Sequence, residues 1–477
     1  MQLKEKQVYI ISACFLFLAS VFSVGYHHPD EHFQVLEFAA LKLHMTTADH
    51  LPWEYQFQMR PAIQPALVVF AFRVFSLFGI NSPFTITFFL RVLSAGLSFP
   101  GMYWMYKAYR SEIRNEVLKR WFLLLSFLLW FMVYTNVRFS SECWSGSFFI
   151  IAFSLLRLLK SPRGFHYFLI GILLGLSFAF RYQTGFLVAG LVLWHLFIKR
   201  YRSASVLLLV GMLVSAGVGI IADRWFYGRW VFTAWNYFQQ NIIYDKVSGF
   251  GTSPWWFYFE KEFIQAIPPF SIIYILGFVV YFIFYRKDLL TWSVLPFLLL
   301  HFIIGHKELR FLFPLIGFLP VVIIKSVEVF KDQWNISFTE NPFLKAVVKL
   351  FWLVNVGALL VVTFNPANPQ IPLFKKIYDD YQTPATLYYA KENPYHRALD
   401  VYFYKRENLN IEKINSFRDF MPTNSRKQLF VTQDMNDIHE LKGRSKLIYS
   451  TFPEWFKNFN FNHWLERSNC WYVYEMY

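Results

Sequence analysis

LLTWSVLPFLLLHFIIGHKELRFLFPLIGFLPVVII, residues Leu289–Ile324, consists of two apolar runs joined by six residues. Leu289–Gly305 leads in, HKELRF at His306–Phe311 interrupts, and Phe311–Ile324 leads out. Runs of this kind suit helices in lipid, where a spanning backbone must satisfy its own polar groups. The interruption holds an imidazole, an ammonium, a carboxylate and a guanidinium. Ionisable groups at a membrane are costly and mark function by default. A turn that merely capped two helices would need only one or two polar residues. His306, Lys307 and Arg310 together predict a cradle for a phosphate, with Glu308 orienting one of the cations.

Composition agrees with a membrane setting. The chain of 477 residues is 56% hydrophobic and 21% aromatic. Its 16% of charged residues lies well below the roughly 25% of soluble proteins. Mean hydropathy is +0.32. The net charge of +15 would suggest nucleic acid in a soluble protein. Here Lys and Arg gathered in cytoplasmic loops explain it, and no nucleic-acid partner is expected. Cys14, Cys143 and Cys470 show no metal-ligand spacing, and no disulfide is expected. MQLKEK followed by an apolar run is predicted to be a retained anchor, because no small-residue cleavage site follows.

Apolar runs recur at 7–25, 84–106, 121–136, 144–157, 166–180, 185–198, 203–221, 269–285, 289–305, 311–325 and 345–363, which predicts about eleven spanning helices. Basic clusters set the orientation. They lie at Lys4 and Lys6, from Lys107 to Arg120, from Arg157 to Arg163, from Lys199 to Arg202, at Arg286 and Lys287, and from Lys325 to Lys349. If all are cytoplasmic, each consecutive pair must enclose an even number of crossings. The runs satisfy this, provided that Pro61–Ile80 is an interfacial or re-entrant helix with Arg73 on its polar side. A crossing at 61–80 with an interfacial 84–106 keeps the same parity. Loops 26–60 and 223–268, turns 137–143, 181–184 and 306–310, and the tail then fall outside. The expected architecture is an all-α polytopic membrane module over 1–363, with an active site built from loops 26–60 and 223–268. A small α/β outer domain over 364–477 is predicted from the β-type runs Leu429–Thr432 and Trp471–Tyr474.

The outer segments hold the polar chemistry. His27-His28-Pro29-Asp30-Glu31-His32 gathers three imidazoles and two carboxylates. A metal site is one reading, but the spacing is not that of a zinc signature. A second is a general base for a sugar hydroxyl. Pro29 also suits a first helical turn, with His28 as its cap and the acids facing the dipole. Asp223, Arg224, Tyr227, Asn236 and Asn241, with Trp255 and Trp256, mix aromatic, amide and charged groups as sugar sites do. An interfacial aromatic belt and a local Asp223–Arg224 ion pair are the competing readings. Arg138 with Glu142, and Arg181 with Gln183, put a cation at the outer ends of two more spans. With Lys307 and Arg310 they could ring an anionic headgroup.

At these residues the chain resembles the family 22 glycosyltransferases, of the membrane-embedded C fold class (GT-C). HPDEHFQVLEFA at 28–39, DRWFYGRWVFTAWNYFQQN at 223–241 and HKELRFLFPL at 306–315 carry the likeness. Within the family it is greatest to the enzymes that add the third mannose of GPI anchors. The resemblance covers roughly 7–363; the tail has no match. It implies a polyprenyl-phosphate mannose donor, inversion, and a glycan or glycolipid acceptor. It implies Asp30 as base supported by Glu31, and His306, Lys307 and Arg310 at the donor phosphate. No cofactor or divalent metal is expected, and membrane lipid is the surrounding partner. Alternatives are transfer of another polyprenyl-phosphate-linked sugar, or transport of a lipid-linked sugar. The single Asn-x-Ser/Thr sequon, Asn335-Ile336-Ser337, lies in a cytoplasmic loop. Its absence from outer segments favours a bacterial plasma membrane over the endoplasmic reticulum.

Overall fold

The computed structural model describes residues 4–160, 162–415, 427–434, 437, 445–460 and 468–476. Helices of nine or more residues are α1 (Glu5–Phe22), α2 (Ile63–Ser76), α3 (Pro83–Arg110), α4 (Glu116–Leu128, continuing as Trp130–Asn136), α5 (Ser141–Leu158), α6 (Gly164–Phe180), α7 (Gly185–Phe197), α8 (Arg202–Tyr227), α9 (Phe257–Gln265), α10 (Ser271–Phe284), α11 (Leu289–Ile303), α12 (Leu319–Trp334), α13 (Pro342–Phe364) and α14 (Gln370–Asp380). Every apolar run read from the sequence is helical. Among the described residues, six helices are long and apolar enough to cross a membrane: α1, α3, Glu116–Asn136, α8, Leu309–Trp334 and α13. The chain is a multi-pass membrane protein. Of the two candidates for the second crossing, α3 has 28 residues and α2 has 14. At 1.5 Å per residue α3 is about 42 Å long and α2 only about 21 Å, so length favours α3.

The chain forms two compact units. The first comprises Met1–Ser23, Glu54–Ala66 and Phe89–Phe364. The second comprises Val24–Trp53, Leu67–Phe88 and Asn365–Tyr477. The tail therefore shares its unit with much of the first outer loop.

In the first unit, glycines let helices touch backbone to backbone. A Cβ on Gly171 would stand 2.2 Å from Leu208 O, and one on Gly211 would stand 2.2 Å from Phe168 O. These two positions seat α6 on α8. Close approach through small residues is how helices associate in lipid, where apolar burial gives no drive between them. α4 breaks at Leu129, and Asn355 repairs the break. Its carboxamide accepts from Trp130 N at 3.0 Å and donates to Leu128 O at 2.9 Å. A broken helix at membrane depth needs such a partner.

The helix ends that parity assigns to one side do meet. Arg157 at the end of α5 binds Asp288 at 2.9 Å, just before α11, and Glu112 at 2.6 Å, just after α3. Lys325 donates to Glu112 O at 3.2 Å. Glu5, at the start of α1, binds Arg110 at 2.6 Å. The opposite ends form the cluster described below. Glu142 and Arg157 sit at the two ends of α5, about 22 Å apart along its axis.

The second unit carries a five-stranded sheet: β1 (Ala385–Tyr389), β2 (Leu409–Lys413), β3 (Lys427–Thr432), β4 (Ser445–Ser450) and β5 (Tyr472–Met476), in the order β2-β1-β3-β5-β4. β1 pairs parallel to β2 and β3, while β5 runs antiparallel to β3 and β4. The two β-type runs read from sequence are β3 and β5, and they are neighbours. α14 buries Leu373, Phe374 and Ile377 in this unit, and Phe374 stacks on Tyr395 at 4.2 Å.

Candidate functional site

Glu142 is the hub of the cluster at the helix ends opposite Arg157 in the first unit. Ser140 caps α5 by accepting from Cys143 N at 3.2 Å, which puts Glu142 in the first helical turn, where a carboxylate is favoured. Its Oε1 accepts from Arg181 Nη1 at 2.8 Å and from Arg310 Nη1 at 2.7 Å. Glu142 is 2% exposed, Arg181 5% and Arg310 6%. Arg181 follows α6, and the Thr184 hydroxyl donates to its carbonyl at 2.7 Å. Arg310 is the second residue of the 3-10 stretch Leu309–Phe318, which contains Pro314. That segment comes close because residue 146 is glycine; a Cβ there would stand 2.8 Å from Pro314 Cα.

HKELRF is bound internally. Glu308 takes His306 Nε2 at 3.0 Å on one oxygen and Arg310 Nε at 2.5 Å on the other. His306 Nδ1 faces Gly251 O at 3.0 Å. Both imidazole nitrogens therefore face acceptors. Lys307 donates to Ser253 O at 3.1 Å and to Ile304 O. Burial pushes the Lys307 ammonium below the usual lysine range. Phe311 packs under the cations, its centroid 5.0 Å from Arg181 Cζ and 5.2 Å from Arg310 Cζ. Arg181 and Arg310 bind Glu142, Arg310 also binds Glu308, and Lys307 rests on backbone carbonyls, so the named side chains carry surplus positive charge. Such a buried, preorganised surplus can stabilise an anion.

The remaining predicted site residues of this unit tie loops together. Asp223 is 3% exposed, accepting from Ala62 N at 2.8 Å and Thr233 Oγ1 at 2.5 Å. Arg224 lies over Trp230 at 4.6 Å, so the charges of this adjacent pair are directed to different partners. Tyr227 donates to Arg60 O at 2.9 Å, and Asn236 to Gln58 O at 3.1 Å. Asn241 donates to Tyr237 O at 3.0 Å, and Gln183 to the Tyr237 hydroxyl. Arg138 donates to Ser23 O at 2.7 Å and lies over Tyr134 at 4.8 Å.

His28, Asp30 and Glu31 belong to the second unit. His28 caps a short turn with Pro29 in its first position, accepting from Asp30 N at 3.2 Å. Asp30 Oδ1 lies 3.7 Å from His28 Nδ1. Glu31 accepts from His27 N at 3.2 Å. His32 turns elsewhere, 2.7 Å from Glu37 and stacked between Tyr26 and Tyr404. Glu37 was not singled out in the sequence. Its Oε1 also accepts from Tyr402 N at 2.9 Å and Phe403 N at 3.0 Å, clasping the first outer segment to the tail within this unit.

Sequence reading also passed over His301 and Tyr258, which flank the cationic cluster. The signal for His301 was present: an ionisable residue inside an apolar run, five positions before His306.

The model of the Alg9-like mannosyltransferase family matches residues 8–405. Mannosyltransferase APTG1 of Arabidopsis thaliana is 24% identical over 347 residues, 69% of this chain and 59% of that protein. GPI alpha-1,2-mannosyltransferase 3 of Homo sapiens is 26% identical over 327 residues, 66% of this chain and 57% of that protein. The chain thus spans a little over half the length of these relatives. The crystal structure of ArnT from Cupriavidus metallidurans bound to undecaprenyl phosphate is similar with a TM-score of 0.54, covering 98% of this chain and 97% of that one. At 11% identity this likeness shows a shared fold, the membrane-embedded C class expected from the sequence.

Proposed function

The chain belongs to the Alg9-like mannosyltransferase family, and on that premise we propose that it transfers mannose from a polyprenyl-phosphate donor to a glycan or glycolipid acceptor on the outer face of its membrane. The observation that carries this reading is the convergence of Arg181 and Arg310 on Glu142, with Glu308 on Arg310 and the Lys307 ammonium held on backbone carbonyls in the same HKELRF turn. The ArnT structure of the same fold, solved with undecaprenyl phosphate, supports a lipid phosphate as the anion.

In the reaction the sugar C1–O bond to the phosphate breaks and a bond from the acceptor oxygen to C1 forms. The leaving polyprenyl phosphate gains negative charge, which fixed cations in a water-poor site stabilise. His306, Lys307 and Arg310 face that phosphate, with Glu308 setting the angle of both His306 and Arg310. Asp30, supported by Glu31, takes the acceptor proton. One carboxylate suffices for a single displacement, which inverts C1. Side-chain cations, with no divalent metal, meet the phosphate charge in this reading. The lone sequon on the basic-cluster side supports a bacterial plasma membrane, while the plant and human relatives raise the endoplasmic reticulum as its competitor.

The test incubates the purified chain with polyprenyl-phosphate mannose and a lipid extract of its host, then identifies the product by mass spectrometry. A new mannosylated lipid, lost in Asp30→Asn, is the expected result. Movement of the donor across liposomes with no new glycosidic bond would overturn transfer. Full transfer by Asp30→Asn would remove Asp30 as the base.

A further inference from the structure

His301 is 2% exposed in the last turn of α11. Its Nδ1 lies 2.8 Å from Phe297 O. A carbonyl only accepts, so Nδ1 carries the proton and Nε2 of the neutral ring is an acceptor. That Nε2 is buried and has no hydrogen-bond partner among the described residues. Tyr258, on α9, is also 2% exposed, its ring 6.4 Å from His301 and inclined at 69°. Its hydroxyl lies beside the Glu308 backbone and has no acceptor for its proton among the described residues. Arg181 commits Nη1 to Glu142 and Ser141, while its buried Nε–H has no partner among the described residues.

These three groups share one neighbourhood. His301 lies 6.2 Å from the Phe311 ring, whose centroid is 5.0 Å from Arg181 Cζ. Arg181 and Lys307 are near enough for their charges to act on His301. Buried polar atoms without partners are few in native proteins, and each asks for an explanation. Here an acceptor, a hydroxyl and an N–H donor gather beside an aromatic ring and a phosphate-type cation cluster. A sugar hydroxyl both donates and accepts, and sugar C–H groups pack on rings.

We propose that His301 Nε2, Tyr258 Oη and Arg181 Nε form a subsite for the sugar of the donor, adjoining the cradle that holds its phosphate. The subsite rests on the reading of HKELRF as a lipid-phosphate site. His301 accepts from one sugar hydroxyl, Tyr258 donates to another oxygen, and Arg181 bridges sugar and phosphate.

The test measures binding of two lipids, polyprenyl phosphate and polyprenyl-phosphate mannose, to the full chain by native mass spectrometry. Tyr258→Phe and His301→Phe should each weaken the mannosylated lipid about tenfold, the order expected for one lost hydrogen bond. Binding of the sugar-free lipid should stay within about twofold, a selectivity that a merely structural role would not produce. Arg310→Met should weaken both lipids. Tyr258→Phe removes one atom and keeps the ring, so it carries the test if His301→Phe does not fold. Unchanged binding of the mannosylated lipid, or equal loss of both lipids, overturns the subsite. A parent chain that binds neither lipid overturns the functional reading as well.

Discussion

Arg310 and Glu142, 168 positions apart in sequence, are joined at 2.7 Å where their side chains are 6% and 2% exposed. The same carboxylate oxygen holds Arg181. Removing one partner from a buried charge group is costly, about 3–5 kcal/mol, because the others are left without compensation. Glu142→Ala should therefore lower the thermal midpoint and, through a misplaced Arg310, cut transfer about 10²-fold. A variant with the parent midpoint would show that other contacts hold the guanidiniums.

Lys307 contributes charge in a different way. Its ammonium is anchored on two carbonyls rather than on a carboxylate. Lys307→Met should leave the fold intact and slow transfer about 10²–10³-fold, as loss of one preorganised donor does. Turnover with saturating donor is the measurement, and a change confined to KM would count against a role at the leaving phosphate.

Gly146 sets how closely the Leu309–Phe318 stretch approaches α5. Alanine there would place Cβ 2.8 Å from Pro314 Cα. The segment must shift, taking Arg310 away from Glu142. Gly146→Ala should lower transfer about 10²-fold with a smaller effect on the midpoint, since positioning errors near 1 Å have that effect on rate. Equal transfer by parent and variant would rule this out.

Glu37 clasps the tail within the second unit. Glu37→Ala would strand the Tyr402 and Phe403 amides and the His32 ring, all held by one oxygen. Each buried donor left bare costs about 1–3 kcal/mol. Limited proteolysis should cut residues 365–415 of the variant at least tenfold faster, while cleavage at the parent rate would deny the clasp its role.

Glu262, half-buried on α9, has its carboxyl pushed up to about 7 by burial. The folded chain then holds this proton more tightly than the unfolded chain, so the contribution is fully present below about 4.5 and lost as pH rises through about 7. Relative to Glu262→Gln, the parent should lose thermal stability between pH 5 and pH 8, by at most about 3 kcal/mol. Parallel midpoints for the two proteins across that range would refute the burial of this carboxyl.

Much of the fold was legible because membrane folding writes itself locally. Apolar runs and the sign of the intervening loops placed the helices and paired their ends, and the contacts of Arg157 with Asp288 and Glu112 agree with that pairing. The cap of His28 on the Pro29 turn followed from neighbouring residues alone. Asp223 went to Ala62 and Thr233, beyond the reach of an argument about its neighbour Arg224. His301 was passed over for another reason: although ionisable, one imidazole barely perturbs the hydropathy of the run that contains it.

By itself, the sequence determined the membrane class and the cationic character of HKELRF, because hydropathy and charge are properties of short stretches. Tertiary structure alone decided that Glu142 gathers Arg181 and Arg310, that Glu37 reaches Tyr402 across 365 positions, and that His301 stands beside the cations. Such pairings depend on which helix ends meet and how closely glycines let them approach. Neither condition leaves a mark on the residues that come to share a site.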